Sequence, residues 1–408
     1  MRFLTLPLMA LMLASPVAAQ RRAPPQPQVS TRDRAAHERM IVLDTHLDVA
    51  ERFDDGLWDF SQRHVYAEDG SQVDLPRMRE GGMDGGFFVI YTAQGPLTDE
   101  GYRDARDRAL VRAAAIRRVI GENRAFMDLA LTADDAERSA RQGRRFGFIS
   151  MENGWPLGED LSLLTTFYRL GLRMAGPVHS RDNQLADSAT GQNRWGGLSP
   201  LGRRWVAEMN RLGIIIDVSH SSDATFDDIL RLSRVPVVAS HSGPKAIFDH
   251  RRNLDDDRMR RLAARGGVMF LNSIFMVQHD GSDERDRIND RHKNWAQLSP
   301  AGRRQLVADT AALNRLRPYT TADFDLYMRS LLHAIRVMGV DHVGLGADWD
   351  GGGGVIGMED ITALPRITGA LRRAGLSEAD IAKVMGGNLL RVMRQVQAAA
   401  APPPAPAR

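Results

Sequence analysis

The 408-residue sequence contains no cysteine, very little lysine and no apolar stretch long enough to span a bilayer. Without cysteine there are no disulfides, thiolate metal ligands, cysteine nucleophiles or lipid-attachment thiols, so any metal must be held by His, Asp or Glu. The basic residues are almost all arginines interleaved with acids, and the net charge is +3. This pattern indicates an arginine-rich surface and no nucleic-acid partner, because a nucleic-acid footprint needs basic residues clustered on one face.

The N-terminus carries the pattern of a secretory signal over residues 1–19. Arg2 supplies a positive charge, residues 4–13 are apolar, and Val17 and Ala19 are small residues that favour cleavage after Ala19. The apolar run is too short for an ordinary transmembrane helix. We therefore expect export, to a bacterial periplasm or out of the cell, with no stable membrane insertion after cleavage. An uncleaved anchor is the alternative.

Both ends of the mature chain have the composition of flexible segments. Residues 20–36 include several prolines among polar residues and predict a flexible leader, and residues 397–408 are almost all alanine and proline, which predicts a disordered tail. Between them no linker-like break occurs. Residues 37–396 are therefore predicted to form one continuous domain with a sizeable core.

The middle of the chain alternates short apolar runs with amphipathic segments. The predicted strands are residues 41–44, 86–91, 146–150, 172–176, 214–218, 235–240, 267–272 and 342–346. Helical patterns between most of them indicate a parallel sheet covered on both faces, and eight such units predict an α/β fold of the (β/α)8 TIM-barrel type. A doubly wound sheet is the alternative, but no Gly-rich dinucleotide fingerprint or P-loop supports it.

Residues 278–321 have no strand pattern and carry many charges. They predict a helical insertion after strand seven. The sequence does not decide whether this segment is a lid over the site or a contact between subunits. A homodimer is therefore one of the alternatives.

Side chains that can bind metals follow most of the predicted strands. A barrel enzyme places its chemistry at the C-terminal ends of its strands. The candidate metal ligands at these ends are His46 and Asp48 after strand one, Glu152 after strand three, His220 after strand five and His241 after strand six. Imidazole and carboxylate groups are usual ligands of zinc-type ions, so their convergence at one barrel mouth predicts a metal site.

Each candidate has an ordinary structural explanation when it is considered alone. His46 and Asp48 can form a hydrogen-bonded turn, and His220 or His241 can be a satisfied structural histidine. Together, five ligands exceed the three protein ligands that one catalytic zinc needs. Two Zn²⁺ ions that share Glu152 fit better, with other divalent metals such as manganese or cobalt left open. Such a pair, about 3.5–4 Å apart, lowers the pKa of a bridging water and polarises a carbonyl.

Three further residues suit catalysis or substrate binding. Asp348, after strand eight, can move a proton from that water to the leaving amine, or it can be a turn aspartate ahead of the glycines at 351–354. Arg252 can bind a substrate carboxylate through two guanidinium nitrogens, although alone it suggests a solvated surface charge. His179, after strand four, can donate to an oxyanion or orient Glu152. The remaining histidines are predicted to be structural or solvated: His37, His64, His250, His279, His292, His333 and His342.

These motifs resemble those of the membrane dipeptidase family, also called renal dipeptidase or peptidase family M19, over residues 38–396. The similar segments are DTHLD at 44–48, VDLPRMREGG at 73–82, EMNRLG at 208–213, DVSH at 217–220, SHS at 240–242, RRNL at 251–254, GLGADWDG at 344–351 and GNLLRV at 387–392. Glu152 and His179 lie where the family's bridging glutamate and substrate-binding histidine are expected.

The resemblance implies a barrel amidohydrolase with two zinc ions that removes one residue from dipeptides and tolerates a D-residue at the C-terminal position. The implied ligand set is His46 and Asp48 for one zinc, His220 and His241 for the other, and Glu152 for both. Arg252 would then bind the substrate carboxylate. The chain departs from the family at Asn153, where many members have glycine, and in residues 270–275, which lack a tyrosine that some members present. These departures bear on substrate preference.

We therefore expect a metallo-dipeptidase that cleaves a small dipeptide with a metal-bridging hydroxide. N-acyl amino acid or lactone hydrolysis on the same metal site is the alternative. A non-catalytic exported binding protein of the same fold is a third hypothesis, which the presence of all five ligands disfavours.

Overall fold

The computed structural model describes residues 29–56, 58–293 and 295–401. The predicted signal, the first part of the leader and the end of the tail, residues 402–408, lie outside the described residues. Within those ranges, no helix combines the length and the apolar character that a membrane crossing requires.

Parallel strands alternate with helices along the described chain. The strands are β1 (Leu43–Leu47), β2 (Gly85–Tyr91), β3 (Met127–Leu129), β4 (Arg145–Glu152), β5 (Leu172–Ala175), β6 (Ile215–Ile216), β7 (Val238–Ser242), β8 (Val268–Leu271) and β9 (Val343–Leu345). Each of the eight predicted runs overlaps one strand. The additional strand, β3, pairs only with β4, and its three residues are too few to produce a detectable pattern. The predicted α/β class with a parallel sheet is confirmed.

The strands form two parallel sheets in the orders β1-β2-β4-β5-β6, with β3 on β4, and β7-β8-β9. Two single bridges join these sheets. Asp217 pairs with Val238 beyond the end of β6, and Leu47 pairs with Trp349 beyond the end of β9. The neighbouring backbone supports both bridges, since Val218 N donates to Val238 O at 2.7 Å and the amide of Asp48 donates to Trp349 O at 2.8 Å.

The helices cover the sheets and mostly begin at side chains that cap them. They are α1 (Thr31–His37), α2 (Tyr66–Asp69), α3 (Leu75–Glu80), α4 (Asp99–Glu122), α5 (Ala133–Arg141), α6 (Leu163–Leu170), α7 (Pro200–Leu212), α8 (Asp223–Leu232), α9 (Asp256–Ala264), α10 (Asp283–Lys293), α11 (Pro300–Leu316), α12 (Phe324–Met338), α13 (Leu364–Arg373), α14 (Glu378–Ala382) and α15 (Asn388–Ala398). The hydroxyls of Ser199 and Ser222, for example, accept from the first turns of α7 and α8.

One apolar cluster fills the space beneath the C-terminal ends of the strands. It combines side chains from both sheets with the inner face of α15, among them Phe87, Phe148, Val238, Phe270 and Leu389. The polar strand ends therefore adjoin closely packed apolar side chains, which limit their freedom to move.

Helix α1 corrects the predicted flexible leader, residues 20–36. Ser30 caps the helix, and the carboxylate of Asp33 accepts from Arg372 on α13 at 2.6 Å. The sequence did not indicate this helix because most of its residues are polar and few of its side chains are buried against the domain. The first part of the predicted tail, residues 397–408, is also structured, since α15 runs to Ala398 and Ala401 N donates to Arg211 O at 3.1 Å.

Residues 278–321 are helical, as predicted, and follow β8. Helices α10 and α11 pack together around Ile288, Leu306 and Leu313. This small cluster is separate from the main core, so the segment carries apolar packing of its own.

His37 is a structural histidine, as predicted, at the junction of α1 with the domain. Its Nε2 donates to Gly81 O at 2.9 Å and its Nδ1 accepts from the Thr368 hydroxyl at 2.7 Å. A Cβ at Gly82 would lie 2.7 Å from the ring, so the site has no spare room. Burial lowers the pKa of His37 to about 4, because the charged ring would lose its solvation.

We expect His37→Ala to lower the free energy of unfolding by about 3 kcal/mol at pH 7, through the cavity and the two unpaired partners. The folded-state pKa of about 4 lies below the unfolded value of 6.5, so the stabilisation is lost as pH falls from about 6.5 to 4. Urea unfolding of both proteins at pH 7 and pH 5 measures this, and the difference should shrink by about 2 kcal/mol at pH 5. A difference independent of pH would contradict the assignment.

Candidate metal centre

All of the predicted metal ligands lie together at the C-terminal ends of the strands. Ligand atoms within 4.8 Å of one another form three overlapping groups: His46, Glu152 and His241; Glu152, His179 and His220; and His46, Asp48 and Asp348. All of these residues except His179 are buried, with exposed fractions of 8% or less. The strand ends therefore bring together seven side chains of the two types that bind zinc-like ions.

Glu152 stands at the centre with one carboxylate oxygen on each side. Its Oε1 is 2.9 Å from His220 Nε2 and 3.4 Å from His241 Nε2, and these two nitrogens are 2.9 Å apart. Its Oε2 is 3.6 Å from His46 Nε2, which is also 3.4 Å from Asp48 Oδ2. Two adjoining groups of donor atoms thus share a single carboxylate.

Several donor atoms in these groups lack a protein partner. His46 Nε2 and Asp48 Oδ1 are buried and accept or donate no hydrogen bond. A buried polar atom left unpaired costs about 1–3 kcal/mol, so such atoms rarely persist without a function. A divalent cation would satisfy both atoms, and a donor set of imidazole and carboxylate without thiolate suits it chemically. The residues present therefore fit a metal.

Without a metal, the electrostatics of the centre keep His220, His241 and Glu152 in the forms that bind cations but favour a protonated His46. Burial lowers the pKa values of His220 and His241 well below the usual value, which keeps both rings neutral. Burial alone would raise the pKa of Glu152, but the charges of His179 and His46 lower it well below its usual value. Burial opposes protonation of His46, yet Asp48 and Glu152 raise its pKa, so a metal ion that binds Nε2 must displace a proton.

Asp348 is the carboxyl group that holds a proton most readily. Its Oδ1 lies 4.0 Å from His46 Nε2. Burial raises its pKa to about 8, and the nearby charges of Asp48 and Glu152 add to the effect of burial. Asp348 also lies at a turn, as the alternative interpretation predicted, since the amides of Gly351 and Gly353 donate to its carbonyl oxygen at 3.2 and 2.8 Å, but its side chain is buried.

A chain of hydrogen bonds fixes the proton of His241. The Ser240 hydroxyl donates to Asp217 Oδ2 at 2.5 Å, so its oxygen is free to accept from His241 Nδ1 at 2.8 Å. The proton on Nδ1 leaves the Nε2 lone pair facing Glu152 and His220. Asp217 is held in turn by the amides of Ser219 and Ser240, at 2.9 and 2.8 Å.

Several residues around the centre have backbone conformations that side chains usually avoid. His220, Asp348 and Asp350 have φ values of 66°, 68° and 64°, in the left-handed region. Such conformations cost about 1–3 kcal/mol each and cluster at functional sites. Asn153 has φ 69°, which explains the departure from glycine at this position, because asparagine tolerates the left-handed region better than most residues.

Gly351 leaves the space that two carboxylates need. A Cβ at this position would overlap both Asp48 Oδ2 and Asp348 Oδ1. The glycine therefore allows the ends of β1 and β9 to present their acids to the same point.

Arg252 is a buried cation in the same cavity. It is 4% exposed, and within the described ranges no carboxylate lies at salt-bridge distance from it. One guanidinium nitrogen donates to His241 O at 3.4 Å, and Nε has no partner. Burial lowers its pKa to about 10, so it remains charged at neutral pH. The hypothesis of a solvated surface charge is therefore wrong.

The cavity above the centre has a volume of about 380 Å³ and includes side chains that the sequence analysis did not select: Glu51, Tyr91, Phe275, His279 and Tyr319. Tyr91 ends β2 opposite Glu152 in the strand register, so the rule applied to the other strand ends would have found it. His279 was predicted to be structural or solvated, and it lines the cavity instead. His279 and Tyr319 come from residues 278–321, where no strand marks their position.

Comparisons with known proteins agree with this geometry. The sequence model of the membrane dipeptidase family (peptidase family M19) matches residues 30–406. Dipeptidase tcpJ of Claviceps purpurea is 30% identical over 336 residues, which cover 81% of this chain and 70% of that protein. The resemblance inferred from the motifs is confirmed.

Solved structures show the same relationship. The probable dipeptidase PvdM from Pseudomonas aeruginosa superposes with a TM-score of 0.78 at 28% identity, covering 90% of this chain and 98% of that one. A metallo peptidase from Rhodobacter sphaeroides, solved with a phosphinate mimic of the dipeptide L-Ala-D-Ala, superposes with a TM-score of 0.69 at 27% identity, covering 88% and 99%.

We expect Ser240→Ala to weaken zinc binding about 10- to 100-fold, because the proton of His241 loses the acceptor that holds it on Nδ1. Competition with a chromophoric chelator measures the dissociation constants. Ser139→Ala is the matched control, since the hydroxyl of Ser139 also donates to an aspartate, Asp128 at 2.7 Å, but lies on α5. Equal zinc affinity of both variants and the wild type would contradict a role for Ser240.

Proposed function

Because the chain belongs to the membrane dipeptidase family, peptidase family M19, and is a metallo-dipeptidase by that membership, we propose that it is a binuclear zinc enzyme that hydrolyses the amide bond of dipeptides. The observation that carries this proposal is the position of Glu152 between two groups of donor atoms. The phosphinate complex of the Rhodobacter sphaeroides neighbour supports including substrates with a D-residue at the C-terminal position.

The proposed ligands follow from the side of Glu152 on which each donor lies. His46 and Asp48 would hold one zinc on the Oε2 side, and His220 and His241 would hold the other on the Oε1 side. When bound, two such ions lower the pKa of a water molecule and polarise a carbonyl oxygen.

Asp348 and His179 are proposed to handle the proton and the developing charge. With cations bound nearby, Asp348 would be held as a carboxylate, so it would accept the proton released in the attack and return it to the leaving amine. A hydrogen bond of 2.9 Å from the Ser180 hydroxyl to His179 Nδ1 would leave a proton on Nε2, which can donate to the oxyanion.

Arg252 is proposed to bind the C-terminal carboxylate of the substrate. A buried guanidinium with a free Nε has both the charge and the geometry for a planar anion. An uncharged lactone would leave this charge unpaired, which disfavours lactone hydrolysis. N-acyl amino acids carry the same carboxylate, so their hydrolysis is the second candidate function.

The scaffold proposed for this chemistry is one closed (β/α)8 barrel with an insertion at residues 278–321. The bridges Asp217–Val238 and Leu47–Trp349 support closure, as does a core cluster that draws on both sheets. Export is proposed on the sequence pattern of residues 1–19 alone.

The function is tested with purified, zinc-loaded protein and a panel of dipeptides, N-acyl amino acids and lactones. We expect two zinc ions per chain and hydrolysis of dipeptides. Asp348→Asn should keep both ions and lose about 10²- to 10⁴-fold in kcat, because only the proton transfer is removed. Metal analysis and steady-state kinetics measure both quantities. Absence of dipeptide cleavage by the metal-loaded wild type would overturn the proposal.

The role of Arg252 is tested by comparing Arg252→Met with Arg251→Met, its exposed neighbour in sequence. We expect Arg252→Met to lower kcat/KM for a dipeptide about 10- to 100-fold, since hydrogen bonds to charged groups contribute about 1.5–3 kcal/mol. Arg251→Met should behave as the wild type. With a dipeptide amide, which has no carboxylate, the loss at Arg252 should disappear. An equal loss on both substrates would show that Arg252 acts on the fold.

A further inference from the structure

One side of the substrate cavity is built from aromatic rings, in contrast to the charged metal centre. We call Phe275, His279 and Tyr319 the aromatic wall. The rings of His279 and Tyr319 stack at 4.6 Å with an angle of 10° between their planes, and His279 lies 6.1 Å from Phe275. All three side chains line the cavity, next to the buried Ile274.

The wall joins the two ends of residues 278–321. His279 stands at the start of this segment and Tyr319 near its end, and Asp280 N donates to Tyr319 O at 3.1 Å. Arg285, which is 2% exposed, holds the closure by donating to Arg317 O at 2.9 Å and by lying 5.6 Å over the Tyr319 ring. The base of the segment is therefore a fixed part of the cavity.

The outer part of the segment is anchored by a second set of contacts. The guanidinium groups of Arg52 and Arg303 lie 5.8 and 5.3 Å from the centre of the Trp295 ring. Arg303 also pairs with Asp55, and Arg52 pairs at 3.1 Å with Asp350, two residues after Asp348. These contacts tie the segment to the loops after β1 and β9, so the wall is positioned relative to the metal centre.

The wall adjoins the proposed carboxylate site. The guanidinium carbon of Arg252 lies 5.3 Å from the centre of the Phe275 ring, and the ring of His250 stacks on Phe275 at 4.5 Å. In a dipeptide, the C-terminal side chain and the carboxylate leave the same Cα atom. A substrate held at Arg252 therefore has its C-terminal side chain within reach of the wall.

The wall is uncharged at neutral pH. Burial lowers the pKa of His279, and burial together with the charge of Asp348 raises the pKa of Tyr319. Flat, neutral rings stack well with another ring, whereas a negatively charged side chain placed against them would lose its solvation without a partner.

On the premise of the proposed dipeptidase function, we propose that the aromatic wall receives the side chain of the substrate's C-terminal residue and selects aromatic side chains there. Residues 278–321 thereby determine substrate specificity, with Tyr319 and His279 as the residues that contact the substrate.

The test compares glycyl-phenylalanine with glycyl-alanine, each with either enantiomer at the second position. We expect the wild type to hydrolyse glycyl-phenylalanine with a kcat/KM about tenfold higher than that of glycyl-alanine, when the preferred enantiomer of each is compared. Tyr319→Ala should remove most of this preference, because KM rises far more for the phenylalanine substrate than for the alanine substrate. Tyr319→Phe keeps the ring and should keep the preference. Phe126→Ala, at a half-exposed aromatic outside the cavity, is the control and should match the wild type.

A binding measurement separates this inference from the proposed function. Calorimetry on zinc-loaded Asp348→Asn, with and without Tyr319→Ala, gives dissociation constants without requiring turnover. The inference is supported if the phenylalanine dipeptide binds more tightly than the alanine dipeptide and Tyr319→Ala abolishes this difference. If the wild type cleaves neither substrate, only the proposed function is overturned. Equal binding of both dipeptides, or an equal loss on both in Tyr319→Ala, would overturn the wall.

Discussion

The carboxylate of Glu152 is the constraint on which the rest of the site depends. A buried carboxylate is unfavourable unless positive charge or hydrogen-bond donors surround it. Around Glu152 the strand ends supply histidine nitrogens at 2.9, 3.4 and 3.6 Å, with acidic groups beyond them. In this arrangement the atoms that accept hydrogen bonds outnumber the protons available to them. The two proposed cations would resolve this imbalance, and the ends of β1, β4, β6 and β7 must meet at one point for them to be held.

Carboxylates that do not face the proposed metals hold those strand ends together. Asp44 accepts from the amide of Ala347 at 2.9 Å and from the indole of Trp349 at 3.1 Å, which ties β1 to the segment after β9. Asp217 ties the segment after β6 to β7 through Ser240. These bonds offset the left-handed backbone at His220 and Asp348. Buried carboxylates and their hydrogen-bond donors thus stabilise the strained backbone conformations that direct the ligand side chains into the site.

The sequence predicted the parts of the molecule that follow from local pattern. Apolar runs identified every strand of the two sheets except the three-residue β3, and the rule that chemistry follows strand ends selected His46, Asp48, Glu152, His220 and His241. It did not reveal helix α1, whose few buried positions lie among exposed polar residues. It also missed His279 and Tyr319, because two residues that lie 40 positions apart come together only through the packing of α10 and α11.

The central claim is that two metal ions share Glu152, and diffraction at the metal absorption edge tests it most directly. Crystals of the protein purified with its own metals would be analysed by X-ray fluorescence and by anomalous difference maps. We predict two peaks about 3.5–4 Å apart, one beside His46 and Asp48 and the other beside His220 and His241, with Glu152 in contact with both. A single peak, or peaks that do not contact Glu152, would contradict the account.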